Sequence, residues 1–253
     1  MSSKGSDSMS DLLSVDSVSK SFGGVVALND FSVSIAKGER VGLIGPNGAG
    51  KTTLFNVISG LLTEDSGTIY FGGSSLGGVK PHRRVSMGIS RTFQITRPFP
   101  SMTVMENVMA GAIFGGGATV RQASDRSGGL LDRVSLSEKA DLPAGELTLA
   151  DQRRLELARA LATSPRLLLL DEVMAGLSPI ERSSLVELVT QISSEEGIAL
   201  LVSEHIMDSL SRLCTRIVVM DRGTKRGEGV THDVLGSDLV AEVYLGRKRR
   251  GGD

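Results

Sequence analysis

The stretch Gly45–Thr53, Gly-Pro-Asn-Gly-Ala-Gly-Lys-Thr-Thr, constrains this chain more than any other. It matches the pattern G-x-x-x-x-G-K-[ST] at every fixed position, with Pro46, Asn47, Gly48 and Ala49 in the variable places. The apolar run Val41–Ile44 precedes it and a helix-like segment, Thr52–Ser59, follows. Gly45, Gly48 and Gly50 tolerate positive φ, which lets successive backbone N–H groups turn inward around phosphate oxygens. Lys51 adds a point charge at the β and γ phosphates, and the following helix points the positive end of its dipole at them. Thr52 offers a hydroxyl to a magnesium ion bridging the same phosphates, and Thr53 completes the motif. The plain alternative is a Gly-rich turn with a surface lysine, and the strand and helix flanks count against it.

A chain of 253 residues, 40% hydrophobic, can bury a sizeable core as one large domain or a domain with a subdomain. A net charge of -1 removes any global argument for nucleic-acid binding. One cysteine, Cys214, excludes disulfides and thiolate zinc sites within the chain and reads as a buried, inert thiol in a reducing compartment. No apolar run approaches the roughly 18 residues needed to span a bilayer. Residues 1–10 are polar and Ser-rich, and we expect a disordered tail or a cloning remnant there.

Leu12–Lys20 and Phe31–Ile35 read as antiparallel strands, with turn signals at Gly23-Gly24 and Asn29-Asp30. Phe22 stands before Gly-Gly between two strands, one of nine aromatic residues, where its face can stack on a nucleobase for ~1–3 kcal/mol. An ordinary turn aromatic is the alternative. Gly67–Phe71 reads as a strand, Pro81–Met87 as a short helix, and Ile89–Gln94 as a strand whose terminal glutamine can meet magnesium or an attacking water. Met102–Ile113 has helical spacing, whereas Gly115–Gly129, with five glycines, reads as a loop or poorly ordered connection. About 102–162 is expected to form a mostly helical insertion. A further helix covers Asp151–Ala162.

Leu167–Leu170 is fully apolar and ends in Asp171-Glu172, as a central parallel strand does when its carboxyl end opens on a site. Side chains alternate along a strand, so Asp171 can face the phosphate loop and hold magnesium while Glu172 reaches a water in line with the γ phosphate. A positioned base of this kind contributes roughly 10² to 10⁴ in rate. The alternative is a surface acidic pair capping the next helix. A second apolar strand, Ile198–Val202, leads to Ser203-Glu204-His205, which puts His205 at the corresponding strand end. Arg216–Asp221 and Arg226–Gly229 read as strands and Val234–Tyr244 as helical, and residues 247–253 open with a basic cluster read as a solvated tail.

With these motifs in this order, the chain resembles the ATP-binding cassette (ABC) ATPases over roughly Leu12 to Gly246. Arg91-Thr92-Phe93-Gln94, Met102–Asn107, Asp151–Glu156, Ala175–Pro179 and Tyr244-Leu245-Gly246 resemble the ATPases of branched-chain amino-acid importers. The resemblance implies an α/β fold with a P-loop NTPase core: a mixed sheet of antiparallel N-terminal strands and a parallel core, plus the helical subdomain, in one domain over 11–246. It implies ATP and Mg2+ as cofactors, Phe22 as the adenine-stacking aromatic, Gln94 as the Q-loop glutamine, Glu172 as catalytic base and His205 as switch histidine. It further implies transmembrane permease subunits, a second ABC ATPase in a homo- or heterodimer, an external solute-binding protein acting indirectly, and no nucleic acid. Its place would be cytoplasmic, peripheral on the inner face of the cell membrane.

One departure stands out. The family signature, typically Leu-Ser-Gly-Gly-Gln, appears as Leu147-Thr148-Leu149-Ala150-Asp151, and the aspartate common in the D-loop is replaced by Ser178. Thr148 keeps a hydroxyl, but Leu149 and Ala150 add side chains, and Asp151 adds a negative charge near the partner's phosphates. Two unequal ATP sites in a heterodimer are therefore expected. The competing readings are a soluble ABC protein acting on nucleic acid or ribosomes, a regulatory subunit that does not hydrolyse, and a P-loop kinase. A single phosphate loop, the absence of long heptads, and the presence of Glu172 and His205 count against them.

Overall fold

The computed structural model describes residues 11–92 and 98–245. Gln94, Gly246, the expected N-terminal tail and the basic segment 247–253 lie outside the described residues.

The chain opens with a long hairpin, β1 (Asp11–Phe22) and β2 (Val25–Ala36). Gly23 and Gly24 join them at φ 52° and 88°, the two positive values that a two-residue turn matched to strand twist requires. The hairpin is longer than the sequence pattern predicts. Phe22 is the last residue of β1, opposite Val25, rather than between strands. Asn29-Asp30 is no turn either. Val18 pairs with Phe31 and Lys20 with Leu28, so two residues of β2 oppose one of β1 in a β-bulge, with Asp30 at φ 50° and its amide donating to Ser19 Oγ at 3.0 Å. The turn-forming residues were legible, but the ladder continues on both sides of them.

Next come β3 (Arg40–Ile44), α1 (Lys51–Ser59), β4 (Ser66–Phe71), β5 (Ser74–Ser75), α2 (Pro81–Ser86), β6 (Ile89–Arg91), α3 (Val104–Ala110), α4 (Val120–Arg133) and α5 (Leu149–Leu161). They are followed by β7 (Leu167–Asp171), α6 (Pro179–Glu196), β8 (Ala199–Ser203), α7 (Met207–Leu213), β9 (Arg216–Asp221), β10 (Thr224–Val230), α8 (Thr231–Leu235) and α9 (Asp238–Leu245).

These elements fall into two compact units, Met1–Gly78 with Leu201–Asp253, and Val79–Leu200. The first holds the antiparallel sheet β2-β1-β4-β5 and a second run of strands in the order β10-β9-β3, followed by the part of β8 from Leu201 on. β3 and β9 are parallel, Val41 opposite Arg216 and Ile44 opposite Val219, and both are buried along their apolar length. Leu54, Phe55, Val57 and Ile58 of α1 are fully buried. Cys214 is buried, as expected, and burial pushes its thiol up to about 12.

In the second unit β6 and β7 run parallel, Ile89 opposite Leu167 and Arg91 opposite Leu169. Leu157 and Leu161 of α5 converge with Leu168 of β7 and with Val189 and Ile192 of α6. The Gly-rich stretch predicted as a loop is largely α4. Its N-cap Thr119 and third residue Gln122 form a capping box, and Ala123, Ser127 and Leu131, four residues apart, are buried. The helix penalty of Gly128 and Gly129, ~1 kcal/mol each, is outweighed by that cap and that stripe. Gly115 ends a π-helical turn, Gly111–Gly115.

Candidate nucleotide site

The phosphate loop leaves β3 at Gly45, where the ladder with β9 ends at Ile44. Gly50 is the N-cap of α1 at φ 107°, and a Cβ there would lie 2.4 Å from Ala27 O. No L side chain fits that position, which is why the sequence needs glycine. The loop is braced from behind: Gly223 N–H donates to Ala49 O at 2.7 Å, and Asn29 N–H donates to Gly223 O at 2.9 Å. Lys51 is only 6% exposed, and its Nζ donates to Gly45 O at 2.6 Å and Pro46 O at 3.2 Å. The ammonium thus lies folded against the loop's own carbonyls, which a phosphate ligand can displace. Thr52 is exposed and Thr53 half-buried.

Phe22 is 45% exposed, with Lys20 Nζ 5.7 Å from its ring centroid. His205 is exposed just beyond β8, while Ser203 and Glu204 beside it are buried. A residue the sequence reading did not single out completes this half. Gly45 N–H donates to Tyr244 Oη of α9 at 3.0 Å, and that hydroxyl donates back to Gly45 O at 3.3 Å. The only hint of it was a tyrosine in the closing Tyr-Leu-Gly, 199 residues away.

In the second unit Asp171 is the last residue of β7, and Arg91 of β6 pairs with it, Nη2 to Oδ2 at 2.8 Å, both side chains buried. Glu172 is not on the strand. It sits half-buried in the left-handed region at φ 51°, so its direction is set by that backbone kink and not by strand alternation. A non-glycine residue held there carries strain of ~1–3 kcal/mol, a feature concentrated at functional sites.

The signature segment is a helix start. α5 begins at Leu149, not Asp151, and Thr148 is its N-cap. Thr148 Oγ1 accepts from Asp151 N–H at 3.2 Å and donates to Asp151 Oδ2 at 2.8 Å. Lys139 Nζ lies 2.5 Å from the same carboxylate oxygen. Burial works against the Asp151 charge, but the hydrogen bonds from Lys139 and Thr148, with the charges of Lys139 and Arg154, hold its carboxyl below the ordinary value. The charge that the sequence places near phosphates is therefore already partnered. Leu147 is buried, Leu149 exposed and Ala150 half-buried, and Gln152 Nε2 donates to Leu147 O at 3.0 Å. Ser178 is likewise a helix cap: Glu181 N–H donates to its Oγ at 3.4 Å, its own N–H donates to Glu181 Oε2 at 2.8 Å, and Pro179 follows as the first helical residue.

A family model described as ABC transporter matches residues 28–175. The chain belongs to the ABC transporter family. The ABC assignment extends beyond that segment. The chain is 36% identical over 249 residues to the high-affinity branched-chain amino acid transport ATP-binding protein LivG of Salmonella typhimurium, covering 93% of this chain and 98% of that one. It is 34% identical to the protein BraF of Pseudomonas aeruginosa, which carries the same description, with the same coverage. Among solved ABC structures, one described as the ADP conformation of an ATP-binding cassette superposes with a TM-score of 0.84 at 32% identity, covering 94% of this chain and 99% of the other. The cbiO1 structure from Clostridium perfringens, described as part of an ABC transporter complex, gives 0.82 at 27%, covering 93% and 95%. The α/β, P-loop NTPase fold expected from the sequence is the fold found.

Proposed function

We propose that this chain is the ATP-binding and hydrolysing subunit of an importer for branched-chain amino acids or related small polar solutes. The near full-length relationship to transport ATP-binding proteins supports this reading most. In it, residues 11–246 act as one ATPase domain with a helical subdomain at about 102–162.

The loop Gly45–Thr53 binds the β and γ phosphates, Lys51 exchanging the carbonyls of Gly45 and Pro46 for phosphate oxygens. Phe22 is exposed enough to stack on adenine. Glu172 orients and deprotonates the attacking water, and His205 meets the γ phosphate. Thr52, Gln94 and Asp171 would supply the hydroxyl, amide and carboxylate oxygens that suit Mg2+, a hard cation that also keeps water and phosphate oxygens, with Asp171 shared between the cation and Arg91. When bound, Mg2+ supplies charge neutralisation between the phosphates. Among the described residues no three His, Cys, Asp or Glu side chains form a metal cluster of their own, which suits a cation held largely through the nucleotide.

Leu147–Asp151 would face a partner ATPase's nucleotide. Thr148 and Asp151 are engaged in the α5 cap, which supports two unequal ATP sites in a heterodimer with a second, non-identical ABC ATPase. No helix among the described residues is long and apolar enough to cross a membrane. Transport therefore calls for permease subunits, onto which this chain docks from the cytoplasmic side, with an external solute-binding protein delivering the solute.

Magnesium-dependent ATPase activity of the purified chain, beside Glu172→Gln, across protein concentration and with gel filtration in ATP, tests the reading. Steep concentration dependence in the wild type and an inactive, ATP-trapped dimer in the variant support it. A chain that binds no nucleotide refutes it. Equal turnover when either subunit's own base is mutated refutes the unequal sites.

A further inference from the structure

Gly45 is buried and lies one residue beyond the last pair of the β3–β9 ladder, where its N–H needs an acceptor. Its acceptor is the phenol of Tyr244, from a helix that the chain reaches only at its far end. On its other side Gly45 is closed in by β9, where a Cβ at that position would come within 2.1 Å of Met220 O. The Gly45 peptide is thus held between a strand backbone and one side-chain hydroxyl. The carbonyl of Gly45, in the next peptide, accepts from both Tyr244 Oη and Lys51 Nζ, so the hydroxyl that holds Gly45 also helps to orient the acceptor of the loop's lysine. Just before Tyr244 on α9, Glu242 and Val243 line a cavity of about 700 Å3 together with Pro46–Ala49 of the loop and Arg222 and Arg226. The helix therefore stands beside open space and reaches the loop through a hydroxyl bond.

We infer that Tyr244 is a positioning residue for nucleotide binding: its hydroxyl fixes the first peptide of the phosphate loop, so that the seating of α9 sets how well the loop receives phosphate. Burial raises the phenol above its ordinary value, against the lowering effect of its hydrogen bond to Gly45, so the hydroxyl stays protonated at neutral pH and can accept from the Gly45 N–H while donating to the Gly45 carbonyl. Without it, the buried N–H and the carbonyl of Gly45 lose their shared partner, and the two peptides flanking Gly45, the second of which carries the Lys51 acceptor, are held less firmly in the cradle. The penalty for an unsatisfied buried donor corresponds to roughly five- to hundredfold in an equilibrium constant, and it falls on the bound loop geometry. Because the loop grips phosphate in ground and transition states alike, the loss is expected in KM more than in kcat.

This inference rests on the phosphate loop being the nucleotide site, and the test separates the two. The full chain and its Tyr244→Phe and Tyr244→Leu variants are titrated with a fluorescent ATP analogue in the presence of magnesium, with melting temperatures taken with and without ATP. KM and kcat are measured for each variant. The expected result is a nucleotide Kd about tenfold or more higher in both variants, a smaller ATP-induced rise in melting temperature, and a raised KM with kcat within about twofold of wild type. A Tyr244→Phe variant with unchanged Kd and KM overturns the inference while leaving the function intact, even if its nucleotide-free melting temperature falls. A wild-type chain that binds no nucleotide overturns both.

Discussion

Replacing Arg91 by methionine removes the guanidinium beside Asp171 while keeping an unbranched side chain of similar reach. The size of the effect turns on burial. The Arg91 and Asp171 side chains are 7% and 3% exposed, and Nη2 lies 2.8 Å from Oδ2. An exposed ion pair contributes ~0–1 kcal/mol, but removing one partner of a buried pair costs about 3–5 kcal/mol, because the remaining charge stays in a poor solvent for ions. For a chain of this length that is a fall of roughly 6–20 °C in melting temperature, a large part of the ~5–15 kcal/mol that holds a typical domain together. Asp171→Asn removes the complementary charge with little change in shape. In the double variant no uncompensated carboxylate remains, so the loss should be well below the sum of the two single losses. Urea unfolding of the nucleotide-free chain, wild type and three variants, gives the coupling energy directly. A cost for Arg91→Met below about 1 kcal/mol, or a coupling near zero, would refute the claim that burial makes this pair matter.

Gly50→Ala should abolish binding of a fluorescent ATP analogue and lower the melting temperature, since the added Cβ meets Ala27 O at 2.4 Å with φ at 107°; retained affinity would contradict the cradle geometry. Asp151 titrates below its ordinary value of 3.8, so its contribution to stability is present above that value and is lost as pH falls through the lower folded one. Lys139→Ala should therefore destabilise the chain more at pH 7 than at pH 3, as read from urea midpoints, and an equal loss at both would rule this pairing out. Cys214, pushed up to about 12 and buried, should resist a thiol reagent at pH 8 until denaturant is added; rapid labelling of the native chain would show the site to be open.

Much of the phosphate-binding half was legible because its determinants are local. Positive φ at Gly50, a strand before and a helix after need only a dozen neighbouring residues to be recognised. The apolar run into Asp171 was readable for the same reason, its four leucines being buried on β7. Where reading failed, local signals were overruled. Asn29-Asp30 has turn chemistry but lies within a ladder that resumes after it, and the glycines of α4 were outweighed by a capping box and a buried stripe. Glu172 was expected on the strand, yet strand periodicity cannot say at which residue a strand stops.

The phosphate loop, the order of the motifs and the α/β class were readable in the chain alone because each depends on residue type and short spacing, and the resemblance carried by those motifs pointed to the family. That Tyr244 holds Gly45 across 199 residues, that Arg91 partners Asp171 across 80, and that Lys139 offsets the charge of Asp151 follows from the folded arrangement and from nothing local in the chain. Hydrogen bonds and ion pairs act over about 3 Å, and which distant residues come that close depends on how strands pair and helices pack.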